Sequence, residues 1–265
     1  MNLVLALLLL VVAACAQRPG GGQGADGEIV AILARTQPIN TPITFAYAPT
    51  PAEGIHTRIT RIDGATGKGT VTDSFHSQQV IQRPDGLAVL VTVHRTVFPD
   101  RTLSCGDGPL YKSETRLTKD GEMTGGKFLP TEGCPASQRF FEGGRARAQP
   151  ASLWLLPNGG VKTGTVLARD PGGNPPADGG APRGVVAGRT TWNGRDVVVI
   201  RLEECDATPR RGAQAAVQTP TCFQGLVLES LTSGLPSGAI LTRQVPATSG
   251  GLRFEVRSFP DASEG

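Results

Sequence analysis

The stretch that decides the fold is Arg189-Thr-Thr-Trp-Asn-Gly-Arg-Asp-Val-Val-Val-Ile200. An Asn-Gly pair at 193–194 separates two runs that are rich in β-branched residues. Asn and Gly adopt the positive φ angles of a type I′ turn, whose twist matches that of two paired strands. The stretch therefore predicts an antiparallel hairpin in which Val185–Trp192 pairs with Asp196–Leu202.

Two further turns predict hairpins of the same kind. Pro84-Asp85-Gly86 precedes Leu87 and should join two long strands, while Lys119-Asp120-Gly121 should join Leu110–Thr118 to Glu122–Leu129. Within the predicted strands, the runs Val89–Val93 and Val197–Ile200 are almost continuously apolar, which is typical of strands that are covered on both faces.

Alternation of apolar and polar residues recurs from Ile43 to the end of the chain, and no ten-residue window there has a convincing helical period. The fold class is therefore predicted to be all-β, with antiparallel sheets arranged as a sandwich or a curved half-barrel. The run Glu28–Arg35 is compatible with either one short helix or a first strand. The remaining predicted strands are Ile43–Tyr47, His56–Ile62, Gly69–Gln82, Leu87–Phe98, Leu153–Leu155, Val161–Ala168, Phe223–Leu231, Ile240–Val245 and Leu252–Phe259.

The chain has 35 glycines and 21 prolines among 265 residues, a surplus that indicates many turns. We expect one β-rich domain over residues 28–265. A Pro- and Gly-rich segment at 169–183, beginning Arg169-Asp-Pro-Gly-Gly, is interpreted as an exposed excursion from that domain. The alternative is a linker between two lobes.

The N-terminus predicts export. Residues Leu3–Ala14 form an unbroken apolar run that is too short for a membrane-spanning helix of roughly 20 residues. The run ends in Val12-Ala-Ala-Cys15, which resembles the lipobox of bacterial lipoproteins. That resemblance implies a signal peptide at 1–14 and a lipid on Cys15. Cleavage at Ala14-Cys15-Ala16, which would release a soluble chain starting at Gln17, is the alternative.

A flexible tether is expected after Cys15, covering 15–27, because Arg18–Gly27 is rich in glycine and poor in apolar residues. Ala16, rather than Asp, follows the cysteine and resembles the pattern sorted to the outer membrane. The expected location is therefore an outer-membrane lipoprotein facing the periplasm or the cell surface, with a soluble periplasmic or secreted protein as the alternative.

The mature chain keeps four cysteines, and four cysteines allow three pairings. We favour Cys105 with Cys134 and Cys205 with Cys222, because each pair brackets one polar, turn-containing stretch. A four-thiolate zinc site is the competing hypothesis, but no Cys-x-x-Cys spacing occurs and an exported compartment oxidises thiols.

The charge pattern is mild, at +3 with no runs of Lys or Arg, and gives no reason to expect a nucleic-acid partner. Arg210 and Arg211 lie between the second pair of cysteines and could form a patch for a protein or lipid partner.

The aromatic residues are interpreted as core anchors rather than the lining of a cavity. They are Phe45, Tyr47, Phe140, Phe141, Trp154 and Trp192.

The three histidines all fall in predicted strands. Combined with Asp63, Asp73 or Asp100 they could form a metal or hydrolytic site, but no motif spacing selects such a set. We therefore expect strand histidines, no catalytic residues, no metal and no cofactor. The residues are His56, His76 and His94.

Two segments carry a family resemblance: Arg189–Ile200 and Gly225–Gly234 resemble the strand, glycine turn and strand succession of LolA/LolB-like envelope proteins. The resemblance implies a curved antiparallel sheet that holds lipid or lipoprotein segments in an apolar concavity. The leading hypothesis is a lipid-anchored, non-enzymatic binding or accessory module of the cell envelope. A carrier of hydrophobic cargo and an envelope hydrolase with an unrecognised site are the alternatives.

Overall fold

The structure is a computed structural model that describes residues 24–118, 123–142, 156, 159–168, 183–205, 222–245 and 251–261. The signal peptide at 1–14, Cys15, the first part of the tether, Trp154, the 169–182 excursion and the Arg210–Arg211 patch lie outside these residues. So do the side chains of Phe140 and Phe141.

Within the described residues the fold is antiparallel β with two helices, which confirms the predicted class. The helices are α1 (Ala25–Arg35) and α2 (Pro135–Glu142). The strands are β1 (Ile43–Phe45), β2 (Glu53–Asp63), β3 (Gly69–Arg83), β4 (Gly86–Val97), β5 (Thr102–Ser104), β6 (Tyr111–Leu117), β7 (Met123–Pro130), β8 (Gly159–Val161), β9 (Val166–Ala168), β10 (Arg183–Trp192), β11 (Arg195–Cys205), β12 (Cys222–Ser230), β13 (Pro236–Val245) and β14 (Leu252–Pro260).

One large sheet contains twelve of the described strands in the order β7-β6-β4-β3-β2-β14-β13-β12-β11-β10-β9, with β5 paired to β4. Most neighbours in this order are consecutive hairpins. The exception at the centre is β14, which pairs with β2 and so joins the last described strand to the first half of the chain. Strands β1 and β8 form a separate two-stranded sheet.

The predicted hairpins at 84–86 and 193–194 are confirmed by antiparallel pairing of β3 with β4 and of β10 with β11. Asn193 and Gly194 have φ angles of 47° and 75°, as a type I′ turn requires. Strands β6 and β7 also pair antiparallel, although the Lys119–Gly121 turn between them lies outside the described residues.

Three local expectations need correction. Residues Glu28–Arg35 are helical, and α1 begins at Ala25, inside the range predicted as tether. The predicted strand Val161–Ala168 is two short strands, because a turn at Gly164, with φ 86°, interrupts it. Helix α2 was not expected. It has 8 residues, and Pro135 suits its first turn because proline has no N–H to leave unpaired there.

The large sheet is buried on both faces at its β11 and β12 strands. Val197, Val198, Val199 and Ile200 are all fully buried, as their continuous apolar run predicts. Helix α1 covers one face, which we call the helix face, by packing Ala25 and Ile32 against Val197, Val199, Leu226, Leu228, Ile240 and Trp192.

The opposite face carries the larger core. It combines residues of β3, β4 and β6 with residues of β9, β10, β11 and β12, and the segments that cross over it contribute Ile39, Phe45, Tyr47, Leu156 and Val161. The members from the large sheet are Val80, Val89, Leu117, Leu167, Val186, Val198, Ile200, Leu202, Val227 and, packed at its edge, Leu87, Val91 and Leu241.

Candidate functional site: the concave face of the sheet

The large-core face is concave. Gln78, on β3, donates a side-chain hydrogen bond to the carbonyl of Pro236, on β13, although β2 and β14 lie between these strands. Neighbouring strands lie ~4.8 Å apart, so a flat sheet would separate β3 from β13 by about 14 Å, farther than a glutamine side chain reaches. Gln78 shares its face with Val80, two residues along, and the sheet therefore curls toward the large core.

A second bridge lies at the same end of the sheet. Arg195, at the start of β11, forms an ion pair of 3.0 Å with Glu53, at the start of β2, across three intervening strands. We call this end, where β2, β11 and β13 begin, the closed end. The other end, where β2 and β13 finish, is called the open end.

The cover over the closed end is held by polar anchors. The Tyr47 hydroxyl donates to the Leu156 carbonyl oxygen at 2.7 Å, and the Tyr47 ring meets Phe45 edge to face with 4.9 Å between centroids. Thr50 donates its N–H to the Val80 carbonyl and accepts one from the Val80 N–H through its hydroxyl. The segment after β1 is therefore fixed to the floor of the concavity.

Glu229 lies under this cover and is the most unusual residue of the face. It pairs with Val198 across β11 and β12, which places its side chain on the concave face, and it is fully buried. Neither carboxyl oxygen has a hydrogen-bond partner among the described residues. Burial raises the pKa of Glu229 well above its ordinary value, because a buried carboxylate without hydrogen-bond donors is less stable than the neutral acid.

Two polar neighbours accompany this acid. Burial and the proximity of Glu229 both raise the pKa of Tyr47. Ser237 is the extra residue of a β-bulge opposite Glu229, and its buried hydroxyl has no partner among the described residues. Sequence analysis missed Glu229; the signal for it was a single acidic residue inside the apolar run Leu226-Val-Leu-Glu-Ser-Leu231.

Toward the open end, the concave face of β13, β14 and β2 carries an apolar row. Leu241, Val256 and Ile59 lie directly opposite one another, and residues at opposite positions share a face. Leu241 packs against the large core, whereas Ile59 is 37% exposed. The buried core thus continues into a half-exposed apolar surface.

The next row along the same strands is charged at both sides. Arg243, Phe254 and Arg61 lie opposite one another two residues farther from the closed end, and so on the same face. Arg61 is exposed, whereas Phe254 and Arg243 are half-buried. The open end of the concavity therefore presents an aromatic ring between two guanidinium groups.

The histidines gather instead around the β2, β3 and β4 strands. His56 contacts the Asp73 carboxylate at 2.7 Å and stacks on Phe75 at 4.4 Å. Burial raises the pKa of Asp73, but hydrogen bonds from Arg58 and His56 outweigh it and lower the pKa overall. The Arg95 guanidinium lies over the Phe75 ring, with its Cζ atom 4.1 Å from the ring centroid.

The remaining two histidines do not complete a hydrolytic relay with this pair. His94 lies 3.1 Å from the Ser77 hydroxyl, so the serine and the carboxylate contact different histidines. His76 lies on the opposite face of β3 from Phe75 and Ser77, and burial lowers its pKa to about 4. A neutral His76 contributes no charge to either pair at neutral pH.

Other candidates from the sequence have structural roles. Asp63 accepts hydrogen bonds from Ala65 and Thr66 in its own turn, and Asp100 pairs with Arg101 at 3.7 Å. In the described part of the chain, no three His, Cys, Asp or Glu side chains form a group suited to a metal ion.

The aromatic residues act as the sequence analysis expected where they are described. Phe45 and Tyr47 are buried in the large core, and Trp192 is buried on the helix face beside Gly238. Trp192 is therefore a core anchor, as predicted, and does not line the concave face.

A disulfide links Cys105 and Cys134, whose Cα atoms are 5.7 Å apart, as predicted, and it removes two thiolates from the alternative zinc site. Cys205 and Cys222 lie directly opposite each other in the β11–β12 ladder. Their pairing stays a prediction.

The sequence matches no known family model and no curated protein. Two solved structures have some likeness to the chain. A DUF1329 family protein from Desulfovibrio piger has 9% identity and a TM-score of 0.23, covering 90% of this chain and 92% of its own. A putative outer membrane lipoprotein-sorting protein domain from Vibrio parahaemolyticus has 9% identity and a TM-score of 0.19, covering 91% of this chain and 95% of its own. TM-scores this low carry no argument about this chain.

Proposed function

We propose that this protein is a lipid-anchored protein of the cell envelope that binds the apolar chain of an amphiphile on its concave face. The observation that carries the proposal is the row Leu241, Val256 and Ile59, where the buried core continues into a half-exposed apolar surface on a curved sheet. Burial of such a surface against an acyl chain is favourable at ~25 cal/mol per Å².

The position of α1 supports the same arrangement. Nine residues separate Cys15 from Ala25, and they reach about 30 Å when fully extended. Because α1 packs on the helix face, an anchor at Cys15 would attach the protein from that side. The concave face then stays accessible to a ligand.

Among the described residues, no helix has the length and apolar character needed to cross a membrane.

The anchor is tested by metabolic labelling. We expect the wild-type chain, expressed in a Gram-negative host, to incorporate radiolabelled palmitate and to sediment with membranes, because Cys15 ends a lipobox-like sequence. A Cys15→Ser variant should lose the label and the sedimentation. An unlabelled wild-type chain with its mature N-terminus at Gln17 would contradict the anchor and leave the binding proposal to be judged separately.

Binding of an apolar chain is tested with N-phenyl-1-naphthylamine, an uncharged probe that fluoresces in apolar surroundings. We expect the wild-type protein to bind the probe. The Ile59→Asp variant should bind it about tenfold more weakly, because a carboxylate on the apolar row must lose water when the probe binds.

The chain offers a matched control for this substitution. Val71 is 39% exposed, close to the 37% of Ile59, but its partner Thr60 places it on the helix face. Val71→Asp should therefore leave probe affinity unchanged. Equal losses in the two variants, or no probe binding by the wild type, would refute the proposed function; thermal unfolding of both variants checks that they are folded.

A further inference from the structure

The helix face carries exposed apolar residues beside α1. Val166, on β9, is 59% exposed, and Val185, directly opposite it on β10, is 39% exposed. Val185 also pairs with Arg201 on β11. Arg201 in turn pairs with Leu226, which belongs to the core under α1, so Val166, Val185 and Arg201 all lie on the helix face. We call these three residues the β9–β11 surface.

Arg201 is a cation of this surface that no described acid balances. It is exposed and makes no ion pair or hydrogen bond with any described residue. The next row along the strands adds no net charge, because Arg183 and Glu203 occupy opposite positions there. Arginines near the N-terminal end of α1 are different, since Arg253 pairs with Asp26 at 2.8 Å. The β9–β11 surface is therefore apolar with one positive charge.

Helix α1 borders this surface and extends it. The C-terminal end of α1 lies at β10, where the Thr190 hydroxyl donates to the Arg35 carbonyl oxygen at 3.4 Å. Arg35 is exposed, and its guanidinium donates to the Ala31 carbonyl oxygen of the same helix rather than to a described acid. Val30, also on α1, is 67% exposed. Apolar and positively charged groups thus continue from the β9–β11 surface onto the helix.

The tether to Cys15 starts on the same side of the molecule. The described residues begin at Gly24, which precedes α1 and lies beside Glu255 on β14. Neighbouring strands lie ~4.8 Å apart, so β14 and β10 are about 19 Å apart across the sheet, whereas the nine residues of the tether reach about 30 Å. An anchor at Cys15 therefore lets the β9–β11 surface contact the membrane that holds the lipid.

From these observations we propose that the β9–β11 surface and the exposed side of α1 lie against a bilayer that contains anionic phospholipid. The inference rests on the proposed lipid anchor and adds the orientation of the protein, with the helix face toward the bilayer and the concave face toward water. The valines lose water on contact with lipid, and the arginines attract anionic headgroups. A bilayer is favoured over a protein partner because the anchor keeps this surface at a high local concentration near lipid, where a few contacts suffice.

The contact is measured on the lipidated full-length protein in vesicles. A Val185→Cys variant is labelled with a nitrobenzoxadiazole group, whose emission rises when the group leaves water. We expect its emission to be about twofold higher in vesicles of phosphatidylcholine and phosphatidylglycerol than in vesicles of phosphatidylcholine alone, because anionic headgroups attract the arginines. The difference should disappear as salt is added, because salt screens this attraction.

Val71→Cys with the same label is the matched control for position. Val71 is also 39% exposed on the helix face, but it lies on β3, and five strands separate β3 from β10 in the curved sheet. Its emission should be the same in both kinds of vesicle. Wild-type protein treated with the reagent shows how much label reacts with the native cysteines.

Charge reversal assigns the contact to one residue. In the labelled Val185→Cys protein, Arg201→Glu should remove the rise in emission, because anionic headgroups repel a carboxylate. Arg189→Glu is the matched control: it changes the net charge equally and is exposed on β10, but its partner Val198 places it on the concave face. This variant should keep the rise. Both arginines are exposed, so both variants should unfold at the same temperature as the labelled parent.

The outcomes separate this inference from the proposed function. Equal emission changes at Val185 and Val71, or a rise that survives Arg201→Glu, overturn the orientation and leave the anchor and chain binding intact. A label at Val185 that reports apolar surroundings without vesicles also overturns it, because residues 169–182 or a second copy of the chain would then cover the surface. Wild-type protein that does not stay with the vesicles overturns the anchor and the orientation together, and failure to bind N-phenyl-1-naphthylamine overturns only chain binding.

Discussion

Replacement of Cys105 and Cys134 together by serine is expected to lower the free energy of unfolding by about 2 to 5 kcal/mol. The bridge closes a loop of 29 residues, and in the chain-entropy account such a loop stabilises the fold by about 3 to 4 kcal/mol. It also ties the residue after β5 to the residue before α2, two short elements with few other attachments. Urea unfolding under non-reducing conditions measures the change.

The pair Cys205 and Cys222 provides the control. Since these residues face each other at the end of the β11–β12 ladder, replacing both by serine should leave the Cys105–Cys134 bridge intact in non-reducing peptide maps. The two losses of stability should be nearly additive, because the predicted Cys205–Cys222 bridge would share no strand or loop with the Cys105–Cys134 bridge. A bridge from Cys105 to Cys222, or a loss below 0.5 kcal/mol (about the size of an ordinary surface substitution), would contradict this prediction.

Hairpins were predictable because their determinants are local. Asn193-Gly194 and Pro84-Asp85-Gly86 specify backbone angles that only a few residue types adopt easily, and the alternation beside them sets which face each side chain occupies. The Cys105–Cys134 bridge was predictable for the same reason, since it closes one stretch of chain.

Pairings between distant segments were not predictable from these signals. Nothing in Leu252–Pro260 identifies β2 as its neighbour, yet that pairing joins the two halves of the sheet. The curvature also involves this pairing. Since β2 and β14 lie between the strands of Gln78 and Pro236, these two residues can meet only if the sheet curls. The concave site therefore could be suggested by a family resemblance but not located.

The candidate site shows the same limit. Alternation places Ile59 and Arg61 on one face of β2, but only the register with β14 and β13 places Phe254 and Arg243 beside them. Trp192 was predicted to be a core anchor, but only the structure shows that its core lies on the helix face, where α1 covers it. Glu229 differs from its neighbours in the sequence as one acidic residue in an apolar run, but its complete burial depends on the segment that crosses over it.

The contribution of Glu229 to the stability of the protein should fall as pH rises above about 4.5, and Glu229→Gln should abolish that contribution to the pH dependence. Burial raises the folded-state pKa of Glu229, whereas in the unfolded chain the group ionises near its ordinary value of 4.5. The folded chain thus keeps a proton that the unfolded chain releases. Stability from this group is complete below pH 4.5 and decreases by up to about 1.4 kcal/mol per pH unit until the folded group ionises.

Urea unfolding at pH 5 and pH 8 measures this effect. Relative to the wild type, Glu229→Gln should gain stability between these two pH values, because the amide has the shape of the neutral acid and no proton to lose. Glu114→Gln is the matched control. Glu114 is also buried, at 3% exposed, but pairs with Arg83 and Lys127, so its replacement should destabilise the fold by removing the negative charge that these two cations contact. If the difference between wild type and Glu229→Gln were the same at both pH values, the buried carboxyl could not be neutral, and the cover over the closed end would have to supply it with a partner.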